Sequence, residues 1–129
     1  MNKGYLLDTQ VLSWLEHDQS RLGKNTLKMV ERGNLYYCSI SVAELSFKRS
    51  LGKYDFSPQT TQGWQQAGIS PLKFDDEAAV AFGRFSPKWT PDPFDRLIMA
   101  VTVAHNLVLL TSDSKILAQS FDWVFDATT

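Results

Sequence analysis

The stretch Asp92-Pro93-Phe94-Asp95-Arg96-Leu97-Ile98-Met99-Ala100-Val101-Thr102-Val103-Ala104-His105-Asn106-Leu107-Val108-Leu109-Leu110-Thr111-Ser112-Asp113 decides the fold. Asp92 offers the short acceptor side chain of a helix N-cap, and Pro93 brings the fixed φ that suits a first helical turn. Leu97, Ile98, Val101 and Ala104 recur at helical spacing, which predicts a buried face on a helix running to about Asn106. The apolar run at 107–111 follows at once and reads as a central strand. A helix feeding directly into a buried strand is the building unit of a parallel sheet covered by helices.

The same alternation extends outward in both directions. A strand over 5–7 ends at Asp8, a short helix follows over 9–16, and another over 26–32 stops near Gly33. Residues 35–40 read as the second strand. Ser41 looks like an N-cap for a helix over 42–51 that Gly52 ends. A polar helix over 58–67 precedes a short strand at 69–72, placed at an edge because Pro71 cannot donate to a ladder. Asp75 or Asp76 caps a helix running to 85, and 86–91 is a loop. Beyond the central strand, a short helix at 114–120 and a last strand at 123–125 complete the chain. The expected fold is a single α/β domain over residues 1–129, with a central, mostly parallel sheet of four or five strands between helical layers.

Composition narrows the function less. The 129 residues carry a formal net charge of −1 with 43% hydrophobic and 21% charged residues, which fits a globular domain. No run approaches the roughly 18 apolar residues of a membrane span, and Asp8 comes too early for a signal-peptide core. The one cysteine, Cys38, leaves no intramolecular disulfide and fits a reducing compartment, so the expected location is cytoplasmic.

Four acids fall at telling places. Asp8 follows the first strand, Glu44 lies in the first turn of the helix after the second strand, Asp95 lies in the first turn of the long helix, and Asp113 follows the central strand. In open parallel sheets, sites form outside the carboxyl ends of the strands. Carboxylates gathered there without His or Cys partners suit a hard cation such as Mg²⁺ or Mn²⁺, which acidifies bound water and stabilises charge on phosphoryl oxygens. Setting these four aside leaves ten acids against 13 Lys plus Arg, so charge neither favours nor excludes a nucleic acid. Each acid also has a purely structural explanation. Asp8 and Asp113 can cap helices, Asp95 can favour a helix dipole, and Ser41-Val42-Ala43-Glu44 matches the capping box.

The surrounding motifs add a resemblance. Leu6-Leu7-Asp8-Thr9-Gln10-Val11-Leu12-Ser13-Trp14, Ser39-Ile40-Ser41-Val42-Ala43-Glu44-Leu45 with Leu51-Gly52-Lys53, Asp92-Pro93-Phe94-Asp95-Arg96-Leu97-Ile98-Met99-Ala100, and Leu109-Leu110-Thr111-Ser112-Asp113 resemble, in order, the four motifs of PIN-domain ribonucleases of the VapC-like toxin type. The resemblance implies a metal-dependent endoribonuclease with Asp8, Glu44, Asp95 and Asp113 as its acidic quartet. Asp8 and Asp95 would be the principal ligands, and Thr9 and Thr111 would hold carboxylates in place. It also implies cleavage of structured RNA, a tRNA or an rRNA, to 5′-phosphate and 3′-hydroxyl ends. A small antitoxin protein as inhibitor and a homodimer complete the expectation. Ala43 stands where many relatives carry a bulky aromatic.

Other readings stay open. A phosphotransferase using Asp8 as nucleophile would need a second acid two positions on, where this chain has Gln10. A catalytically silent PIN-fold binding module, and an RNA-processing nuclease outside a toxin pair, both keep the same fold. Asp92 reads as a helix cap before a catalytic group, and Arg96 as a partner for a carboxylate or phosphate. Lys48, Arg49 and Lys53 form a basic strip that would meet phosphates or simply face water. Trp14, Trp64 and Trp89 read as packing or interface residues before base-stacking ones, with Trp14 and Leu15 candidates for an antitoxin groove. His17 and His105 read as surface or capping residues, and Cys38 as core.

Overall fold

The structure, a computed structural model, describes residues 3–129. Five strands, β1 (Gly4–Leu7), β2 (Asn34–Cys38), β3 (Ile69–Leu72), β4 (Val108–Thr111) and β5 (Val124–Asp126), form one sheet in the order β3-β2-β1-β4-β5. Every pairing is parallel. Helices α1 (Thr9–His17), α2 (Lys24–Arg32), α3 (Ser39–Ser50), α4 (Pro58–Gln66), α5 (Asp76–Phe82), α6 (Pro93–Ala104) and α7 (Ser114–Leu117) fill the connections, with a 3-10 turn at Gln19–Arg21. Among the described residues no helix is long and apolar enough to cross a membrane.

Parallel strands buried on both faces need apolar side chains at successive positions, and the central strands supply them. In β1, Leu7 joins the core beneath α1 to α4, while Leu6 joins the core beneath α5 to α7. In β4, Leu110 and Leu109 divide in the same way, as do Tyr37 and Cys38 in β2. Leu6, Leu7, Leu109 and Leu110 are fully buried, each contributing roughly 1.5–3 kcal/mol by leaving water. The three aromatic residues read as packing groups include Trp64, which is buried edge-on to Tyr37 at 4.9 Å, and Trp89, which packs edge-on to Phe85 and Phe121. Trp14 is partly buried at the edge of the core beneath α1 to α4.

The helix that decided the fold forms as expected, with a broader buried face. Asp92 caps α6 by accepting from Phe94 N, and the helix stops before Asn106, which takes a left-handed φ of 53°. Ile98 and Val101 are buried, but so are Met99, Ala100 and Thr102, while Leu97 and Ala104 are only partly so. Thr102 fits that interior because its hydroxyl donates to the Ile98 carbonyl at 2.9 Å.

Several boundaries shift. The second strand ends at Cys38, and residues 39 and 40 already belong to α3. Ser41 is therefore not an N-cap. The capping residue is Cys38, whose Sγ lies 3.4 Å from Ile40 N, and the expected box between Ser41 and Glu44 does not form. The reason lies in tertiary partners: Ser41 is buried and its hydroxyl accepts from Thr9 Oγ1 at 2.8 Å, tying α3 to α1. The helix expected to reach 85 stops at Phe82, and the one expected to reach 120 stops at Leu117. The sheet has β1 at its centre and β4 beside it, with Pro71 in the edge strand β3.

Candidate metal centre

The chain leaves β1 towards β2 and β3 on one side, and returns through β4 and β5 on the other. The carboxyl ends of β1 and β4 thus flank the point where strand order reverses, the natural position for a crevice in such a sheet. A cavity of about 710 Å³ opens there, and Asp8, Glu44, Asp92, Asp95 and Asp113 all line it. Residues from four separate motifs meet only because the fold brings them there.

Asp8 is the most firmly held. It caps α1, with Oδ1 accepting from Thr9 N at 2.8 Å and Oδ2 accepting from Thr111 Oγ1 at 2.6 Å. Those bonds favour the carboxylate, yet burial outweighs them and, with Glu44 and Asp113 nearby, pushes its pKa up to about 6. Thr111 also accepts from Asp113 N at 3.1 Å, so one hydroxyl links the ends of β1 and β4. Asp113 caps α7 through Oδ1, which takes the N–H groups of Lys115 and Ile116.

Asp95 is held loosely. Among the described residues its side chain meets Thr90 Oγ1 at 3.4 Å, a long bond at best. Burial, reinforced by Asp8, Asp92, Asp113 and Glu44, pushes its pKa up to about 8. Glu44, in the second turn of α3 and not the first, is 7% exposed. Its Oε2 lies 3.1 Å from Lys48 Nζ, while Oε1 is buried without a hydrogen-bond partner among the described residues. An uncompensated buried carboxylate oxygen costs free energy that a cation at that oxygen would relieve.

The structural explanation of each acid and the shared-site explanation are therefore compatible. Asp8, Asp92 and Asp113 do cap helices, and they cap them at the rim of one cavity. Among the described residues no three His, Cys, Asp or Glu side chains are closed into a ligand set; the acids ring the cavity. Their chemistry fits a hard divalent cation all the same. The donors are all oxygen, burial and mutual repulsion raise two pKa values, and one oxygen has no other partner among the described residues.

Thr111 has its hydroxyl on a carboxylate, whereas Thr9 offers only its backbone N–H to one, its hydroxyl being given to Ser41. The basic strip does not act as a unit. Lys48 pairs with Glu44, Arg49 donates to the Phe56 carbonyl, and Lys53 lines the cavity. Arg96 lies over the Phe82 ring, 5.5 Å from its centroid. His105 Nε2 lies 2.8 Å from Asp75 Oδ2 and His17 Nε2 3.4 Å from Glu16, both away from the cavity. Thr90 and Tyr54 carried no signal in the sequence, although both reach the site, Thr90 through Asp95. The pairing of Lys48 with Glu44 was readable from their i, i+4 spacing.

Comparison with known proteins points to one family. Residues 5–121 match the PIN domain. No curated protein matches the sequence. Among solved structures, VapBC-1 from nontypeable Haemophilus influenzae is similar at 19% identity and a TM-score of 0.69, covering 98% of this chain and 99% of that one. VapBC2 from Rickettsia felis, solved with a DNA fragment from its promoter, is similar at 17% identity and a TM-score of 0.66, covering 95% and 96%. FitAcB from Neisseria gonorrhoeae is similar at 22% identity and a TM-score of 0.56, covering 95% and 97%. At such identities these structures speak for the shared fold alone. The match over residues 5–121 goes further: the chain belongs to the PIN domain family.

Proposed function

We propose that this chain is a Mg²⁺- or Mn²⁺-dependent endoribonuclease, and that it serves as the toxin of a toxin–antitoxin pair. The observation that carries the nuclease reading is the convergence of Asp8, Glu44, Asp95 and Asp113 on one cavity at the carboxyl edge of β1 and β4. Asp8 and Asp95 would be the principal ligands, with Glu44 and Asp113 completing the site. The bound ion would acidify a water and stabilise charge on the phosphoryl oxygens. The chain's own part is positional. Thr111 holds Asp8 and the backbone of Asp113 through one hydroxyl, and the burial of Asp8 and Glu44 keeps bulk water from screening those two carboxylates.

The toxin reading draws on the four motifs and on the neighbours, one of them titled a toxin–antitoxin complex from Klebsiella pneumoniae and another a member of the VapBC family of toxin–antitoxin systems. An antitoxin protein as partner, a homodimer, a tRNA or rRNA substrate and a cytoplasmic setting belong to this reading. Purified protein free of partner, given structured RNA with Mg²⁺ or Mn²⁺ and then with EDTA, tests it. Metal-dependent internal cleavage that Asp8→Asn and Asp95→Asn both lose supports the reading. Cleavage that survives both substitutions, or that ignores EDTA, contradicts it.

A further inference from the structure

Of the acids that line the cavity, Glu44 is the one that carries an ion pair among the described residues. Lys48 lies one turn further along α3, with the acid N-terminal to the base, the favourable order for an i, i+4 pair. The two partners are unlike. The Glu44 side chain is 10% exposed and keeps Oε1 buried and unpartnered, whereas the Lys48 side chain is 45% exposed and free to swing outward. Only one Glu44 oxygen is engaged, so the pair is not a closed structural bridge. The neighbouring basic groups behave otherwise: Arg49 is committed to the Phe56 carbonyl, and Lys53 lines the same cavity with no carboxylate partner among the described residues.

We propose that Lys48 is a positioning residue that competes with a divalent cation for Glu44 and so sets the metal affinity of the site. The inference rests on the metal-site reading above and deepens it. The Lys48 ammonium neutralises Glu44 among the other acids and holds its side chain at the cavity wall. A divalent ion at Oε1 and an ammonium at Oε2 of the same carboxylate repel each other, so loading the site weakens the Lys48 contact and favours its withdrawal. Its exposed, flexible stem permits that without moving α3. The withdrawn ammonium then stands beside Lys53 in the wall through which an anionic substrate would enter.

Calorimetric titration of the intact protein with Mn²⁺, without RNA, tests the competition. Lys48→Met keeps the stem and removes the charge; the expected result is Mn²⁺ binding about fivefold tighter than wild type. Lys53→Met removes a positive charge from the same cavity without touching Glu44, and is expected to shift affinity by less than about twofold. In a Glu44→Gln background the Lys48→Met effect is expected to vanish, since the contact it relieves is already gone. Without metal, Lys48→Met melts below wild type, and saturating Mn²⁺ closes that gap. Equal shifts for Lys48→Met and Lys53→Met, or a Lys48→Met effect that persists in the Glu44→Gln background, overturn the proposal. Wild-type protein that binds no Mn²⁺ while Lys48→Met also binds none overturns both this inference and the metal-site reading.

Discussion

The two sides of the cavity are built differently. On the sheet side, Asp8 has both oxygens engaged, and Thr111 ties it to the backbone of Asp113 across β1 and β4. On the helix side, Glu44 and Asp95 hang from α3 and α6 with one long bond to Thr90 and one exchangeable lysine between them. The sheet side is organised by the fold itself. The helix side carries the larger electrostatic strain, with Asp95 pushed to about 8 against about 6 for Asp8. A cation would therefore find one set of ligands already in place and would draw in the other.

That contrast breaks most visibly under Asp95→Asn. Cleavage is expected to fall by on the order of 10²–10³-fold, because the proposed cation site would lose one of its principal oxygen ligands. The metal-free variant should nevertheless melt above wild type at pH 8, since Asn carries no buried charge. Asp8→Asn should lose cleavage equally but gain no comparable stability, because it disturbs the acceptor of Thr111. Parallel melting curves and cleavage rates separate the two, and equal stability changes would erase the distinction.

The supporting hydroxyls give a second, smaller test. Thr111→Val removes the link between Asp8 and Asp113 and is expected to cut activity or Mn²⁺ affinity by about 10–100-fold. Thr90→Val removes only a 3.4 Å contact and should cost a few-fold at most. A Thr90 effect as large as that of Thr111 would mean that the helix side is as organised as the sheet side.

Proton linkage sharpens the same point. In metal-free protein the unfolded chain ionises these carboxylates near pH 4, whereas the folded protein keeps Asp8 protonated to about 6 and Asp95 to about 8. The folded state binds more protons across that window, so stability is full below about pH 4 and falls as pH rises towards 8. A decline on the order of 3 kcal/mol between pH 5 and pH 8, with the share of the partly exposed Asp95 halved by solvent screening, is expected from urea unfolding, and Mg²⁺ or Mn²⁺ should remove most of it. A flat profile without metal would contradict the assigned electrostatics. The smallest effect concerns Asp92, whose Oδ1 caps α6. Asp92→Ala should cost about 1 kcal/mol while Asp92→Ser restores it, and failure of Ser to rescue activity would give Asp92 a role at the cavity beyond its cap.

The sequence made the strand-ending acids legible because β1 and β4 are short apolar runs that stop abruptly at Asp8 and before Asp113. Asp95 was legible through the cap and proline that fix the start of α6. The start of α3 was not. Ser39 and Ser41 are equally good caps by residue type, and only the long-range bond from Thr9 and the Phe74 N–H given to Ser39 decide that neither hydroxyl serves there. The early ends of α5 and α7 have the same kind of origin in tertiary packing, since Phe85 is drawn into an aromatic cluster with Trp89 and Trp123 instead of continuing its helix, and Phe121 stacks on Trp123 beyond α7. Thr90, 5 residues from Asp95 and 1% exposed, gave no local sign of its contact.

Thermal melting at pH 8 with increasing Mn²⁺ would show whether the acids at the carboxyl edge form a divalent-cation site. Wild type should rise in melting temperature with saturable dependence on Mn²⁺, while Asp95→Asn, already more stable without metal, should respond weakly or not at all. A wild-type protein indifferent to Mn²⁺, or a variant that responds as strongly as wild type, would mean that these acids do not hold a cation.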